Sequence, residues 1–466
     1  MAATKPATLG ELRSAGYRPE SVKQELRRNV IGRLRSGRPV LPGLVGYDDT
    51  VIPQVVNAIL ADQDLIMLGE RGQAKSRLMR SLPDLLDEEV PVVTGSELND
   101  SPFAPISRQA RDLVAERGDA TPIDWLPRDR RYGEKLATPD ISIADLIGEV
   151  DPIKVAEGRY LSDELTLNYG LIPRCNRGIF AINELPDLAE RIQVGLLNLM
   201  EEKDVQIRGH LIRLPLDLLV VASANPEDYT SRGRIITPLK DRFGAQVRTH
   251  YPLRISEEIA IMEQEAAPAP DGVEVLVPAF MKEILAELTH LARRSPHISQ
   301  TSGVSVRMSI ANFETLTANA VRRAARLGEA MAVPRISDLD FLVASTAGRV
   351  EIEALDEGKE EQVLDRLRRG AVTATFGKHF STGQFDTLIG LFDDGAVVET
   401  GEALPSGAYE RAIGNREEVG AAVRRLGLPD RPEVRASVVE FLVEGLHLAK
   451  RLNKDEVEGR ATYRRS

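Results

Sequence analysis

An α/β fold, with a parallel-sheet core followed by a helical region, is predicted by three features of the 466-residue chain. Short apolar runs at Leu65–Leu68, Gly178–Ile182 and Leu218–Ser223 each end in polar residues. Strands buried on both faces present chemical groups in this way, at their carboxyl ends. The first run passes through a glycine-containing turn into a segment with helical spacing. From residue 253 to about 350 the apolar spacing is helical throughout, over Ser256–Glu265, Pro278–Arg294, Val304–Leu327 and Ser337–Ala354.

Length and composition fit two or three globular domains, with 42% hydrophobic and 28% charged residues. A net charge of -11 argues against a general nucleic-acid binder. The single cysteine, Cys175, excludes an intrachain disulfide framework and reads as a small buried hydrophobe. The longest apolar run, Leu214–Ala224, is broken by Pro215 and Asp217 and falls short of the roughly 20 residues a membrane span needs. Met1–Pro6 lacks the apolar core of a signal peptide, so the expected location is cytoplasmic, away from membranes.

Residues 1–42 read as a leader and a basic helix. Val22, Leu26, Ile31 and Leu34 are its apolar positions among Arg27, Arg28, Arg33, Arg35 and Arg38. Such a helix either packs on its own domain, the expectation here, or binds acidic lipid or nucleic acid. Residues 43–252 read as an α/β core, opening with a helix at Thr50–Leu60. Val90–Thr94 reads as its second strand. Proline-punctuated residues 95–140 begin an insertion, to about 175, with a helix of its own near Ile106–Glu116. Gly158–Tyr160 and Tyr169–Pro173 suggest an extended hairpin, and Val205–Leu214 alternates about Gly209 as a second. Between them a helix carries Ile192, Leu196, Leu199 and Met200 on one face. Residues 253–350 form a helical lid. Residues 351–466 are mixed and mostly helical, with no catalytic constellation. They end in a helix over Pro432–Leu452 that aligns Leu442, Leu446, Ala449 and Leu452.

The chemistry begins at Gly69-Glu70-Arg71-Gly72-Gln73-Ala74-Lys75-Ser76. Strand, turn, then Lys-Ser opening a helix is the setting of a phosphate-binding P-loop. Backbone N–H groups there face the phosphates, Lys75 reaches the outer ones, and the Ser76 hydroxyl ligates magnesium. Ala74 stands where the pattern has its second glycine. A Walker B strand ordinarily ends Asp-Glu, the first acid holding magnesium and the second polarising the attacking water. Here the strand ends Asn183-Glu184, so only the second acid is present. Asn225, ending Leu218–Ala224, can orient water or the terminal phosphate. Arg242, in Pro238-Leu239-Lys240-Asp241-Arg242-Phe243, is the candidate arginine finger, with Arg232 and Arg234 as alternatives.

Taken in order, the P-loop, Asn183-Glu184, Ala224-Asn225-Pro226 and the Asp241-Arg242-Phe243 segment resemble AAA+ ATPases of the magnesium-chelatase I-subunit and MoxR branch, over about residues 40–350. Leu146-Ile147-Gly148-Glu149-Val150-Asp151 and Asn176-Arg177-Gly178-Ile179-Phe180 are similar to the chelatase subunit in particular. The resemblance implies a RecA-like parallel sheet with a helical lid, assembled as a hexameric ring with ATP and Mg2+ between subunits. It implies Lys75, Ser76, Glu184 and Asn225 from one subunit and Arg242 from its neighbour. Arg307 would be the lid's sensor arginine, with Arg322, Arg323 and Arg326 as alternatives. The segments at 145–175 and 205–214 would be the branch's two hairpin insertions. Members remodel partner proteins, and the chelatase subunit powers magnesium insertion into protoporphyrin IX with two further subunits. A client or adaptor with a metal-ion-dependent adhesion domain would fit.

The expected function is therefore an MgATP-dependent, ring-forming motor that remodels a partner. An amide at position 183 can still accept a hydrogen bond from a metal-bound water, so nucleotide binding is expected to survive with turnover reduced. Two alternatives stand beside it. One is a nucleotide-switched binding module with little hydrolysis, which Asn183 allows. The other is an AAA+ helicase or transcription regulator acting on DNA, whose only support is the basic N-terminal helix.

Overall fold

Short apolar strands buried on both faces build the sheet of the first unit. The computed structural model describes residues 5–150, 166–202, 214–225, 234–270, 272–299, 303–353, 359–457 and 459–465, which form two compact units, Met1–His250 and Tyr251–Ser466.

Among the described residues of the first unit, nine strands run in chain order: β1 (Leu65–Leu68), β2 (Glu89–Val93), β3 (Ile123–Pro127), β4 (Tyr132–Leu136), β5 (Gly148–Val150), β6 (Leu167–Tyr169), β7 (Gly178–Asn183), β8 (Leu218–Ala224) and β9 (Ala245–Arg248). Five of them make one all-parallel sheet in the order β4-β7-β8-β1-β9. Successive residues serve opposite faces. Ile66, Phe180, Ile182, Val220 and Ala222 face one core, while Leu65, Met67, Ile179, Ala181 and Val221 face the other. A sheet covered on both faces explains why its strands read as unbroken apolar runs.

One expectation about the central sheet is corrected here. Val90–Thr94 is extended, as β2, but lies outside the central sheet: it pairs antiparallel with β3. The place beside β7 belongs to β4, whose sequence Tyr-Gly-Glu-Lys-Leu has no apolar run to announce it. The insertion helix forms at Arg108–Arg117, where the Ser107 hydroxyl accepts from the Ala110 N–H as its N-cap. β5 and β6 pair antiparallel, but Leu171–Arg174 is a short helix where an extended ribbon was expected over Tyr169–Pro173; Gly158–Tyr160 lies outside the described residues, as do residues 205–213 of the second hairpin.

The basic helix, Val22–Arg35, packs on its own unit. Its buried stripe is Val22, Leu26 and Val30, at i, i+4 and i+8, whereas Leu34 is exposed and Ile31 half-buried, contrary to the expected face. Its cations are engaged locally. Arg27 pairs with Asp62, Arg28 with Glu20 and Asp87, and Lys23 with Asp64. Glu25, from the same helix, is buried against Arg131 in a bidentate pair of 2.8 and 2.6 Å. This charge pattern serves packing. Cys175 is buried too, and burial pushes its thiol up to about 12, so it is a packing residue and not a nucleophile.

The second unit is helical around one core, through Ile255–Glu265, Ala279–Arg294, Val306–Leu327, Glu360–His379 and Pro432–Leu448. A small antiparallel sheet orders Val398–Gly401, Arg460–Arg464 and Asn453–Val457. Two sequence expectations change. The Ser337–Ala354 segment is a 3-10 turn, Ile336–Leu342, and a short helix, Val343–Ala347. The last helix stops at Leu448 and is buried continuously from Val434 to Leu446 except at Arg435, with no single apolar face. No helix among the described residues is long and apolar enough to cross a membrane.

Candidate nucleotide site

Parallel strands β7, β8 and β1 are neighbours, so their carboxyl ends lie side by side. Asn183-Glu184 come from β7, Ser223 and Asn225 from β8, and Gly69 opens the turn after β1.

The turn is held from within. A Cβ on Gly69 would meet Thr249 Oγ1 at 1.9 Å and Gln73 Oε1 at 2.3 Å, so only glycine fits. Gln73 is buried, and its Oε1 accepts from the Glu70 N–H at 3.0 Å and from Thr249 Oγ1 at 2.9 Å. The Tyr47 hydroxyl lies 2.8 Å from the Gln73 carbonyl and 2.9 Å from that of His250, tying the turn to the end of β9. Burial pushes that phenol up to about 12, so it stays a donor. Gly72 has φ 77°.

Ala74 sits at φ 52° and ψ 19°, the left-handed conformation that explains why glycine is usual there. The methyl is tolerated at a local cost. Ala74→Gly should raise stability by about 1 kcal/mol, a difference of the size seen for left-handed residues. Chemical denaturation of the two proteins measures it; an unchanged midpoint would mean the turn is not strained.

Lys75 begins the Lys75–Ser81 helix and is buried, 7% exposed. Its ammonium donates to the carbonyls of Gly69 and Glu70, the latter at 2.8 Å, and to Asn225 Oδ1 at 2.6 Å. Asn225 in turn donates from Nδ2 to Glu184 Oε2 at 2.8 Å. Glu184 is half-buried at φ 56° and ψ 47°, a second left-handed non-glycine residue at the same site. Its N–H donates to Ser223 Oγ at 3.1 Å. Ser76 Oγ donates to Asn183 Oδ1 at 3.1 Å, and Ser223 Oγ donates to the same oxygen at 3.2 Å. Lys75, Ser76, Asn183, Glu184 and Asn225 thus form one connected set.

The other predicted residues make contacts of their own. Arg242 ends the Thr237–Arg242 helix, partly exposed, and pairs with Glu201. Arg234 is exposed and its carbonyl accepts from Gln193; Arg232 lies outside the described residues. Arg307 lies in the second unit, exposed in the first turn of Val306–Leu327, where the helix dipole disfavours a cation. Its alternatives are engaged: Arg323 is buried on Asp338, and Arg322 and Arg326 pair with Glu402. Among the described residues Arg307 makes no ion pair.

Sequence reasoning missed Tyr47, Ser223, Thr249 and Glu134. Ser223 carried a signal, as a hydroxyl inside an apolar strand. Glu134 carried none. From β4 it accepts a hydrogen bond from Asn183 Nδ2, and Arg80 grips it in a bidentate pair of 2.7 and 2.9 Å. Burial pushes its carboxyl up, but the hydrogen bond and charge of Arg80 outweigh this and hold it below its ordinary value.

The chain carries the arrangement of AAA+ ATPases with a RecA-like core: a parallel sheet covered by helices on both faces, with a P-loop motif, a strand-tip glutamate and a facing asparagine. Its curated relatives are magnesium-chelatase I subunits, and the chain is ChlI-like. It is 30% identical to the chloroplastic ChlI subunit of Oryza sativa subsp. japonica over 267 residues, covering 53% of this chain and 58% of that protein. To ChlI-1 of Arabidopsis thaliana it is 27% identical over 247 residues, covering 51% and 55%. The chain therefore spans little more than half the length of the relatives it matches. No family model matches it. Among solved structures, a BchI–BchD complex of magnesium chelatase aligns at a TM-score of 0.36 and 21% identity, over 69% of this chain and 97% of that one. NtrX from Brucella abortus aligns at 0.40 and 16%, over 74% and 67%. Scores this low leave the sequence relatives to carry the relationship.

Proposed function

We propose that this protein binds ATP with magnesium at the Gly69–Ser76 turn, hydrolyses it, and uses the cycle to remodel a partner protein. The observation that carries the reading is the hydrogen-bonded set linking Lys75, Asn225 and Glu184 across adjacent strand ends. Lys75 would leave its carbonyl acceptors for the outer phosphates. Glu184, held through Oε2 by Asn225, would be the carboxylate that accepts a proton from water. The backbone N–H groups of Glu70 to Lys75 would line the phosphates.

The donor set fits magnesium that arrives with the nucleotide. Ser76 Oγ and Asn183 Oδ1 are hard oxygens 3.1 Å apart, and among the described residues no group of three or more His, Cys, Asp or Glu could hold a metal ion. Magnesium is commonly held by few protein oxygens together with substrate phosphates. Ser76 would ligate it directly and Asn183 through water. When bound, the ion draws charge from the phosphate oxygens and so eases transfer.

By analogy with ChlI subunits, ring assembly would bring Arg242 from a neighbour as the finger, with Arg307 as sensor in a lid over 253–350. The client is a partner protein, chelatase-like in its relationship to the ring. Asn183 favours a second reading, a nucleotide-switched binding module with slow turnover. Magnesium-dependent ATP turnover by the purified full chain, read with its mass in solution, separates the two. Turnover in a multi-subunit ring supports the motor. Tight binding with no turnover supports the switch, and no nucleotide binding removes both.

A further inference from the structure

The strand that carries Asn183 lacks the first acid of the Walker B pair, yet a carboxylate is present one strand away. β4 and β7 run parallel with Leu136 opposite Asn183, so Glu134, two residues earlier, projects from the same face of the sheet. Glu134 accepts from Asn183 Nδ2. A carboxylate accepts only, so the amide must turn its NH2 toward Glu134 and its oxygen toward Ser76 and Ser223. That oxygen receives both hydroxyl protons, at 3.1 and 3.2 Å. The arrangement reproduces what an aspartate at 183 would do for Ser76, with the charge displaced along one hydrogen bond.

We propose that Glu134 is the displaced Walker B charge. It orients the Asn183 amide and supplies the negative potential for the divalent cation that enters with the nucleotide. This rests on the nucleotide-binding reading above. Glu134 is a positioning residue acting through Asn183. Arg80, 64% exposed at its side chain, holds the carboxylate from the solvent side, and Tyr132 donates to it at 3.2 Å.

The test is the affinity of the full chain for a fluorescent ATP analogue, measured in magnesium and in EDTA; the EDTA Kd divided by the magnesium Kd reads metal coupling. Glu134→Gln keeps an acceptor for Asn183 but loses the charge. It should lower the ratio about tenfold and leave the EDTA value within about twofold, the scale expected for one partly screened charge near a cation. Arg80→Gln should leave the ratio unchanged or raised. Glu134→Gln combined with Asn183→Asp returns the charge to the strand tip and should restore the native ratio. The proposal is overturned if Glu134→Gln leaves the ratio unchanged. It is equally overturned if Arg80→Gln lowers the ratio as much, which would make Glu134 only an ion-pair partner, or if the double variant stays impaired. Should the single variant not fold, the Arg80 and double variants decide. A native protein that binds ATP in neither buffer removes the nucleotide reading itself; coupling that survives Glu134→Gln removes only this inference.

Discussion

Lys75→Ala is expected to weaken MgATP binding about a hundredfold, about 3 kcal/mol, the range for losing charge-assisted hydrogen bonds in a dry site. The ammonium is buried and already in place, pinned by the Gly69 and Glu70 carbonyls and by Asn225. These three partners are neutral oxygens, and an arriving polyphosphate offers the ammonium charged ones. Little side-chain ordering is then left to be done on binding, which strengthens each contact made. Calorimetric titration with ATP and magnesium measures the loss, with a thermal melt confirming that the variant folds. An affinity within threefold of the native protein would mean the phosphates lie elsewhere.

Glu184→Gln should leave ATP binding within a few-fold and lower turnover at least about a hundredfold, the usual contribution of a positioned general base. The substitution preserves size and an oxygen for the Asn225 amide, so the strand tip keeps its geometry. What disappears is the basic carboxylate that would take a proton from water. The left-handed backbone at Glu184 puts its carboxylate at this point at a cost in strain, a pattern found where function fixes the chain. Steady-state phosphate release beside nucleotide affinity separates the two effects. Loss of both together would indicate a folding defect, and unchanged turnover would exclude Glu184 as the base.

The P-loop was legible because everything it needs lies within eight consecutive residues and one apolar strand before them. Glu184 and Asn225 were legible for a related reason. Strands buried on both faces read as apolar runs, so a polar residue at the end of one is conspicuous. The long helices Ala279–Arg294 and Val306–Leu327 followed from their spacing to within two residues. Errors gathered where burial is not periodic. The Pro432–Leu448 helix is surrounded by core on every side and shows no face, while the basic helix shifted its stripe to Val30 because Glu25 is buried on Arg131.

The amino-acid sequence alone determined the class of the fold and the residues of the Gly69–Ser76 turn, since local pattern and backbone preference act over a few residues. Tertiary structure alone decided which strand stands beside β7, and with it the environment of Asn183. β4 has no apolar signature of its own, and the contact from Glu134 to Asn183 joins positions 49 residues apart. A charge that reaches a site across a strand pairing obeys no spacing rule in the chain. It exists only once the sheet has chosen its order.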